Sequence, residues 1–237
     1  MAKIYAGTSG WAYTSWKPKF YPAKLGSANF LNYYATRLNT VEVNYTFRSV
    51  PTEELLTGWA AATPPDFKFA VKAHQTITHV KRLRDATKLT QEFISSLQPL
   101  AKSRKLGPIL FQLPPYLKCD LKLLGDFLTG LPYQTRATFE FRHDSWFTDD
   151  VYGLLRKAKV ALCQAESEKL ETPHVQTADF SYLRLRKDSY SVRDRGALAR
   201  RVLDLARRGE VYVYFKHENT PEGALHAEAL LAEITRK

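Results

Sequence analysis

The feature that most restricts the fold is an alternation running through all 237 residues. Short β-branched or aromatic runs occur at Lys3–Ser9, Thr40–Phe47, Phe67–Lys72, Leu106–Leu113, Arg136–Arg142, Val160–Ala165, Phe180–Arg186 and Glu210–His217. Between them lie segments with apolar residues near helical spacing, at Asn29–Arg37, Glu53–Ala62, Thr87–Lys102, Leu121–Leu128, Asp150–Lys157, Arg195–Arg207 and Pro221–Thr235. Strand–helix–strand order repeated to the end predicts parallel strands joined by crossovers. Eight such units, with no G-x-G-x-x-G turn after the first strand, predict a closed (β/α)8 barrel over residues 1–237 rather than an open doubly wound sheet. The sixth unit is the weakest: Glu166–Asp179 has little apolar periodicity and predicts a short or irregular helix.

In a barrel sheathed by helices, the continuous apolar parity of each strand faces outward and the other parity faces the lumen. This rule sends Val41, Val43, Tyr45 and Phe47 outward and Glu42, Asn44 and Thr46 inward. It likewise places Lys72, Gln112, Thr138, Glu140, Arg142, Arg184, Arg186, Tyr212, Tyr214 and Lys216 inside. Such lumens are normally filled with Val, Ile and Leu. Here two carboxylates, Glu42 and Glu140, meet five cations, Lys72, Arg142, Arg184, Arg186 and Lys216. Buried charge is costly unless paired, so the glutamates should pair with some of these cations and leave a positive excess that attracts an anion. The competing reading is an internal ion network that fixes the barrel and binds nothing. The whole chain is basic, with 35 Lys and Arg against 24 Asp and Glu and a formal charge of +11, which also favours anionic partners.

Several function classes lack support. There is no P-loop, H-E-x-x-H or G-x-S-x-G motif, and no motif identifies a cofactor. Cys119 and Cys163 form neither a C-x-x-C pair nor zinc-ligand spacing, which suits a reducing, cytoplasmic compartment. No apolar run approaches about 18 residues, so a membrane span is not expected. His74, His143 and His217 fall just past strand ends near Glu42, Glu140 and Glu218, but the local cations would repel a metal ion, and no metal is expected. Two long connections fall at the working face of the barrel. Gly10–Gly26 carries Trp11, Tyr13, Trp16, Phe20 and Tyr21, a stacking platform or a hydrophobic plug; His74–Ala86 carries Lys81, Arg82 and Arg84.

The segments Gly7-Thr8-Ser9-Gly10-Trp11, Val41-Glu42-Val43-Asn44, Phe67-Lys68-Phe69-Ala70-Val71-Lys72, Gln112-Leu113-Pro114-Pro115 and Glu140-Phe141-Arg142-His143 with Ser145-Trp146 resemble the YecE-like family, also called domain of unknown function 72. The resemblance implies a (β/α)8 barrel and carries no activity with it. Its pattern falls on Glu42, Asn44, Lys72, Gln112, Glu140, Arg142, His143 and Trp146, largely the residues that parity selects. The chain departs from that pattern at Arg184-Leu185-Arg186-Lys187, where the family shows R-x-H-G, and again at Tyr214-Phe215-Lys216-His217 and His226-Ala227.

Three functions are compatible with these residues. The first is binding, and hydrolysis or isomerisation, of a phosphorylated or otherwise anionic small molecule. Glu140 or Glu42 would then act as general acid or base, and Asn44, Lys72, Gln112, Arg142, His143, Trp146, Arg184, Lys216 and Trp11 would contact substrate. The second is nucleic-acid binding, nuclease-like or repair-like, with Trp11, Trp16 or Trp146 stacking on a base. The third is a glycosidase using Glu42 and Glu140 as its carboxylate pair.

Overall fold

The computed structural model describes residues 2–166, 170–187, 189–216 and 219–235. Its eight strands are β1 (Ile4–Thr8), β2 (Thr40–Val43), β3 (Lys68–Lys72), β4 (Leu106–Gln112), β5 (Ala137–Glu140), β6 (Ala161–Ala165), β7 (Phe180–Leu185) and β8 (Glu210–Phe215). All pair in parallel in the order β1-β8-β7-β6-β5-β4-β3-β2, so the expected (β/α)8-type barrel is what forms. The helices are α1 (Phe30–Arg37), α2 (Glu53–Ala61), α3 (Thr87–Ser96), α4 (Gln98–Lys102), α5 (Leu121–Thr129), α6 (Asp149–Ala158), α7 (Val192–Ala206) and α8 (Glu222–Thr235). Their starts are set by side-chain caps: Thr52 accepts from the Leu55 amide, Asp120 from Leu123 and Thr148 from Val151, while Ser191 and Asp194 form a capping box. The helix expected over Thr87–Lys102 is divided at Leu97, because Pro99 has no N–H with which to continue the ladder. Between β6 and β7 the described residues contain no helix, and 167–169 lie outside them. None of the described helices is long and apolar enough to cross a membrane.

The barrel wall separates two apolar clusters. Outside, Val41, Val43, Phe69, Val71, Ile109, Phe111, Phe139, Leu183, Leu185, Val211, Val213 and Phe215 join the helices in one core. Inside, Tyr5, Ala70, Leu110, Ala161, Cys163, Phe180, Tyr182, Tyr212 and Tyr214 fill the lumen. Tyrosines from β1, β7 and β8 thus fill the space left by small side chains from β3 and β6, a large-against-small fit that native packing density requires. The lumen is closed below by Arg136, whose guanidinium lies 4.5 Å from the centre of the Phe180 ring and 3.0 Å from Glu210.

The β1–β2 seam is closed differently from the others. Only one bridge, Ser9 to Glu42, joins these strands, and the Gly10 amide donates to the Glu42 carbonyl at 2.9 Å. Elsewhere along the seam side chains substitute for the ladder. Asn39 accepts from the Ala6 amide and donates to the Ile4 carbonyl, both at 2.9 Å. The Tyr34 hydroxyl, reaching in from α1, accepts from the Thr8 amide and donates to the Thr40 carbonyl. A Cβ at Gly7 would stand 2.0 Å from the Thr40 oxygen, so this approach requires glycine.

Three expected strands end two or more residues early, β8 among them at Phe215. β2 stops at Val43 because Asn44 turns into the helical region (φ −92°, ψ −14°) and Tyr45–Phe47 form one 3₁₀ turn. β5 stops at Glu140 rather than Arg142. The outward placement of Tyr45 and Phe47 is therefore corrected: both line the mouth of the barrel. Thr46 is pinned beneath them, its hydroxyl donating to the Lys72 carbonyl at 2.6 Å.

Candidate functional site

The lumen's upper end is organised by Arg184, which projects inward from β7 and is 2% exposed. Its Nη2 donates to Glu42 Oε1 at 2.8 Å, and its Nη1 donates to Glu140 Oε2. One planar guanidinium therefore ties β2 to β5 across the barrel, a geometry suited to its forked donors. Glu42 also accepts from the Ser9 hydroxyl at 2.7 Å and the Tyr182 hydroxyl at 2.6 Å. Glu140 also accepts from Gln112 Nε2 and Arg186 Nη2, both at 2.9 Å, with Arg142 Nε at 4.0 Å.

Burial alone would push both carboxyls upward. For Glu140, Arg184 and Arg186 more than offset burial and hold it down at about 2. For Glu42, Arg184, Tyr182 and Ser9 together outweigh burial and keep it below the usual carboxylate range. Both glutamates are thus ionised at neutral pH and bonded on both oxygens.

Above this network opens a cavity of about 450 Å³, lined by Asn44, Tyr45, Phe47, Arg48, Ser49, Lys72, Gln112, Arg142, Arg184, Arg186 and Lys216. Its lining holds six cationic side chains. Two of them, Arg184 and Arg186, are engaged by the glutamates beneath. Lys72 at the end of β3 donates to Gln112 Oε1 at 2.9 Å and lies 3.9 Å from the centre of the Phe47 ring. Asn44 Oδ1, Arg184 Nε and Arg186 Nε are buried and have no hydrogen-bond partner.

Of the residues singled out from the sequence, Asn44, Lys72, Gln112, Arg142, Arg184 and Lys216 line this cavity, with Glu42 and Glu140 under it. His143, Trp146 and Trp11 are not among its lining residues. His143 caps the turn Asp144–Trp146 by accepting from the Ser145 amide. Trp146 is fully buried, stacked on Phe141 at 4.6 Å and donating to the Leu117 carbonyl. Trp11 packs edge-on against Trp59 at 5.2 Å. In the Gly10–Gly26 segment Trp16, Phe20 and Tyr21 are buried, with Tyr21 stacked on Phe30 of α1 at 4.3 Å, so this part is a hydrophobic plug rather than a platform. Lys81, Arg82 and Arg84 are exposed outside the cavity lining.

The sequence reading missed Tyr45, Phe47, Arg48 and Ser49 as cavity residues; Asn44, a turn former interrupting an apolar run, was the available signal. Among the described residues no group of three or more His, Cys, Asp or Glu is arranged to hold a metal ion. His217 and Glu218, two of the residues considered for one, lie outside the described residues.

The comparisons with known proteins bear on the whole chain. Residues 5–237 match the family model described as "Protein of unknown function DUF72". The chain belongs to the DUF72 family. Among curated DUF72 relatives, UPF0759 protein YecE of Escherichia coli K12 is 33% identical over 145 residues, covering 61% of this chain and 50% of the relative. UPF0759 protein YunF of Bacillus subtilis is 30% identical over 156 residues, covering 63% and 54%. The chain thus aligns with about half the length of each of these curated relatives. A crystal structure of a DUF72 family protein from Thermotoga maritima superposes with a TM-score of 0.87 at 28% identity, covering 98% of this chain and 99% of that one.

Proposed function

We propose that this DUF72 barrel binds a small phosphorylated or carboxylated molecule in the cavity at its mouth. The observation that carries this reading is the division of charge. Arg184 and Arg186 absorb both glutamates, so Arg48, Lys72 and Arg142 give the lining a net positive charge.

In this reading Glu42 and Glu140 are positioning residues. A carboxyl held at about 2, with both oxygens already accepting, is a weak proton acceptor at neutral pH, so their work is to fix Arg184, Arg186 and Gln112. The glycosidase alternative needs one protonated carboxyl, and both are held low. Nucleic acid is the weaker candidate partner, because Trp16 and Trp146 are fully buried and unavailable for stacking.

The test is a titration with inorganic phosphate at constant ionic strength, followed by calorimetry. Arg142→Ala removes a half-exposed cation and should leave unfolding stability within about 0.5 kcal/mol. Losing one hydrogen bond to a charged group should weaken phosphate binding about tenfold or more. Equal affinities for wild type and variant, or no phosphate binding by either, would overturn the proposal.

A further inference from the structure

Lys72 differs from Arg142, Arg184 and Arg186 of the cavity in its partners. Among the described residues no carboxylate oxygen lies within 4.0 Å of its Nζ, since the two nearby glutamates are held by arginines. Its hydrogen bond goes instead to a neutral acceptor, Gln112 Oε1. That amide is fixed in orientation, because its Nε2 donates to Glu140 Oε1. The Phe47 ring covers another side of the amine. An amine that donates one N–H to an amide oxygen keeps its lone pair for a carbonyl carbon.

We propose that Lys72 is a nucleophile that forms an imine with a carbonyl compound bearing a phosphate or carboxylate, whose anionic group is held by Arg142, Arg186 and Lys216. The inference deepens the anion-binding reading and rests on it for the anionic group alone. In the step, neutral Nζ adds to the carbonyl carbon and a C–N bond forms. The carbonyl oxygen then takes both amine protons and leaves as water. Protonation of the imine nitrogen from solvent gives an iminium that withdraws electrons from the adjoining C–H or C–C bond.

The surrounding charges favour the neutral amine. Burial lowers the Lys72 pKa most, and Arg184 and Lys216 add to the effect, while Glu42 and Glu140 oppose it; the balance stands at about 8. His79, 5.0 Å from Phe47, and Arg48, Arg142 and Arg186 of the cavity lining are the other titratable and charged groups on this side. Relative to an ordinary lysine, the neutral fraction near pH 7 is then about three hundredfold larger, roughly a tenth of the amine.

The test uses pyridoxal 5′-phosphate as an anionic aldehyde probe, with borohydride reduction at pH 7.5 and peptide mapping by mass spectrometry. The proposal expects saturable labelling of Lys72, at least about tenfold faster than surface lysines. Inorganic phosphate should compete, and Lys72→Arg should lose the label. Labelling concentrated on Lys216, or spread evenly over surface lysines, would overturn the assignment even if phosphate binds normally. Labelling of Lys72 that is equally fast with uncharged pyridoxal and indifferent to phosphate would instead overturn the anion-binding reading and leave the nucleophile standing.

Discussion

The lower and upper halves of the lumen are built on the same strands and the same parity, yet they solve opposite problems. Below, Tyr5 and Tyr212 stack at 4.7 Å among Phe180, Ala161 and Cys163, and the interior is excluded from water by aromatic bulk. Above, Glu42 on β2, Glu140 on β5 and Arg184 on β7 occupy inward positions nearer the C-terminal ends of the strands, and the interior is held by charge. Tyr182 and Tyr214 join the two regimes: their rings belong to the apolar layer, while their hydroxyls bond Glu42 and Thr40 at 2.6 and 2.8 Å. The lower half stabilises through burial and tolerates little change in volume. The upper half is stable only while its charges balance.

The largest effect should come from Arg184→Met, which strands two buried carboxylates. A loss of about 3–5 kcal/mol of unfolding stability is expected in urea titrations. Replacing all three charges, Glu42→Gln, Glu140→Gln and Arg184→Met together, should recover much of that loss, because the cation it leaves without a carboxylate, Arg186, is partly exposed to water. If the triple variant is as unstable as the single one, charge balance is not what holds the upper half.

Acid should separate the two halves next. The Glu140 carboxyl is held below its ordinary value of 4.5, at about 2, so the stability it contributes is complete above about pH 5 and is lost as pH falls toward 2. That contribution is roughly 3 kcal/mol. The stability gap between wild type and Glu140→Gln should therefore close over this range, and a gap independent of pH would contradict the assigned pairing. The smallest effect belongs to the junction: Tyr182→Phe keeps the ring and removes one donor to Glu42, at an expected cost of about 1.5–3 kcal/mol. A neutral result would mean that Ser9 and Arg184 alone satisfy that carboxylate.

The comparison also explains what could be read from the sequence. Parity places Glu42, Glu140, Arg184, Tyr212 and Tyr214 on the inner face, as the structure has them, because one uninterrupted apolar face leaves no choice of side; most of the lower half, such as Tyr5, Ala161 and Cys163, it does not assign. It failed past Val43, where Asn44 turns the chain and carries Tyr45, Phe47 and Arg48 to the mouth, since a turn resets the period that the argument depends on. Aromatic residues were the least informative. Trp11 and Trp146 offer the same ring to a ligand or to a core, and only packing against Trp59 and Phe141 decides between them. The excess of cations over carboxylates was visible as a count, whereas the choice of Arg184 and Arg186 rather than Lys72 as the glutamates' partners depends on strand-to-strand geometry that no local pattern encodes.

The seam between β1 and β2 bears on how the chain reaches this state. β1 pairs along Ile4–Thr8 with Val211–Phe215 of β8 and meets its sequence neighbour β2 through a single bridge. During synthesis from the N-terminus, the first strand therefore waits for the eighth, and β2 to β5 can form a sheet while it does so. The tether between them is the Gly10–Gly26 segment, anchored on α1 by Tyr21 and Phe20.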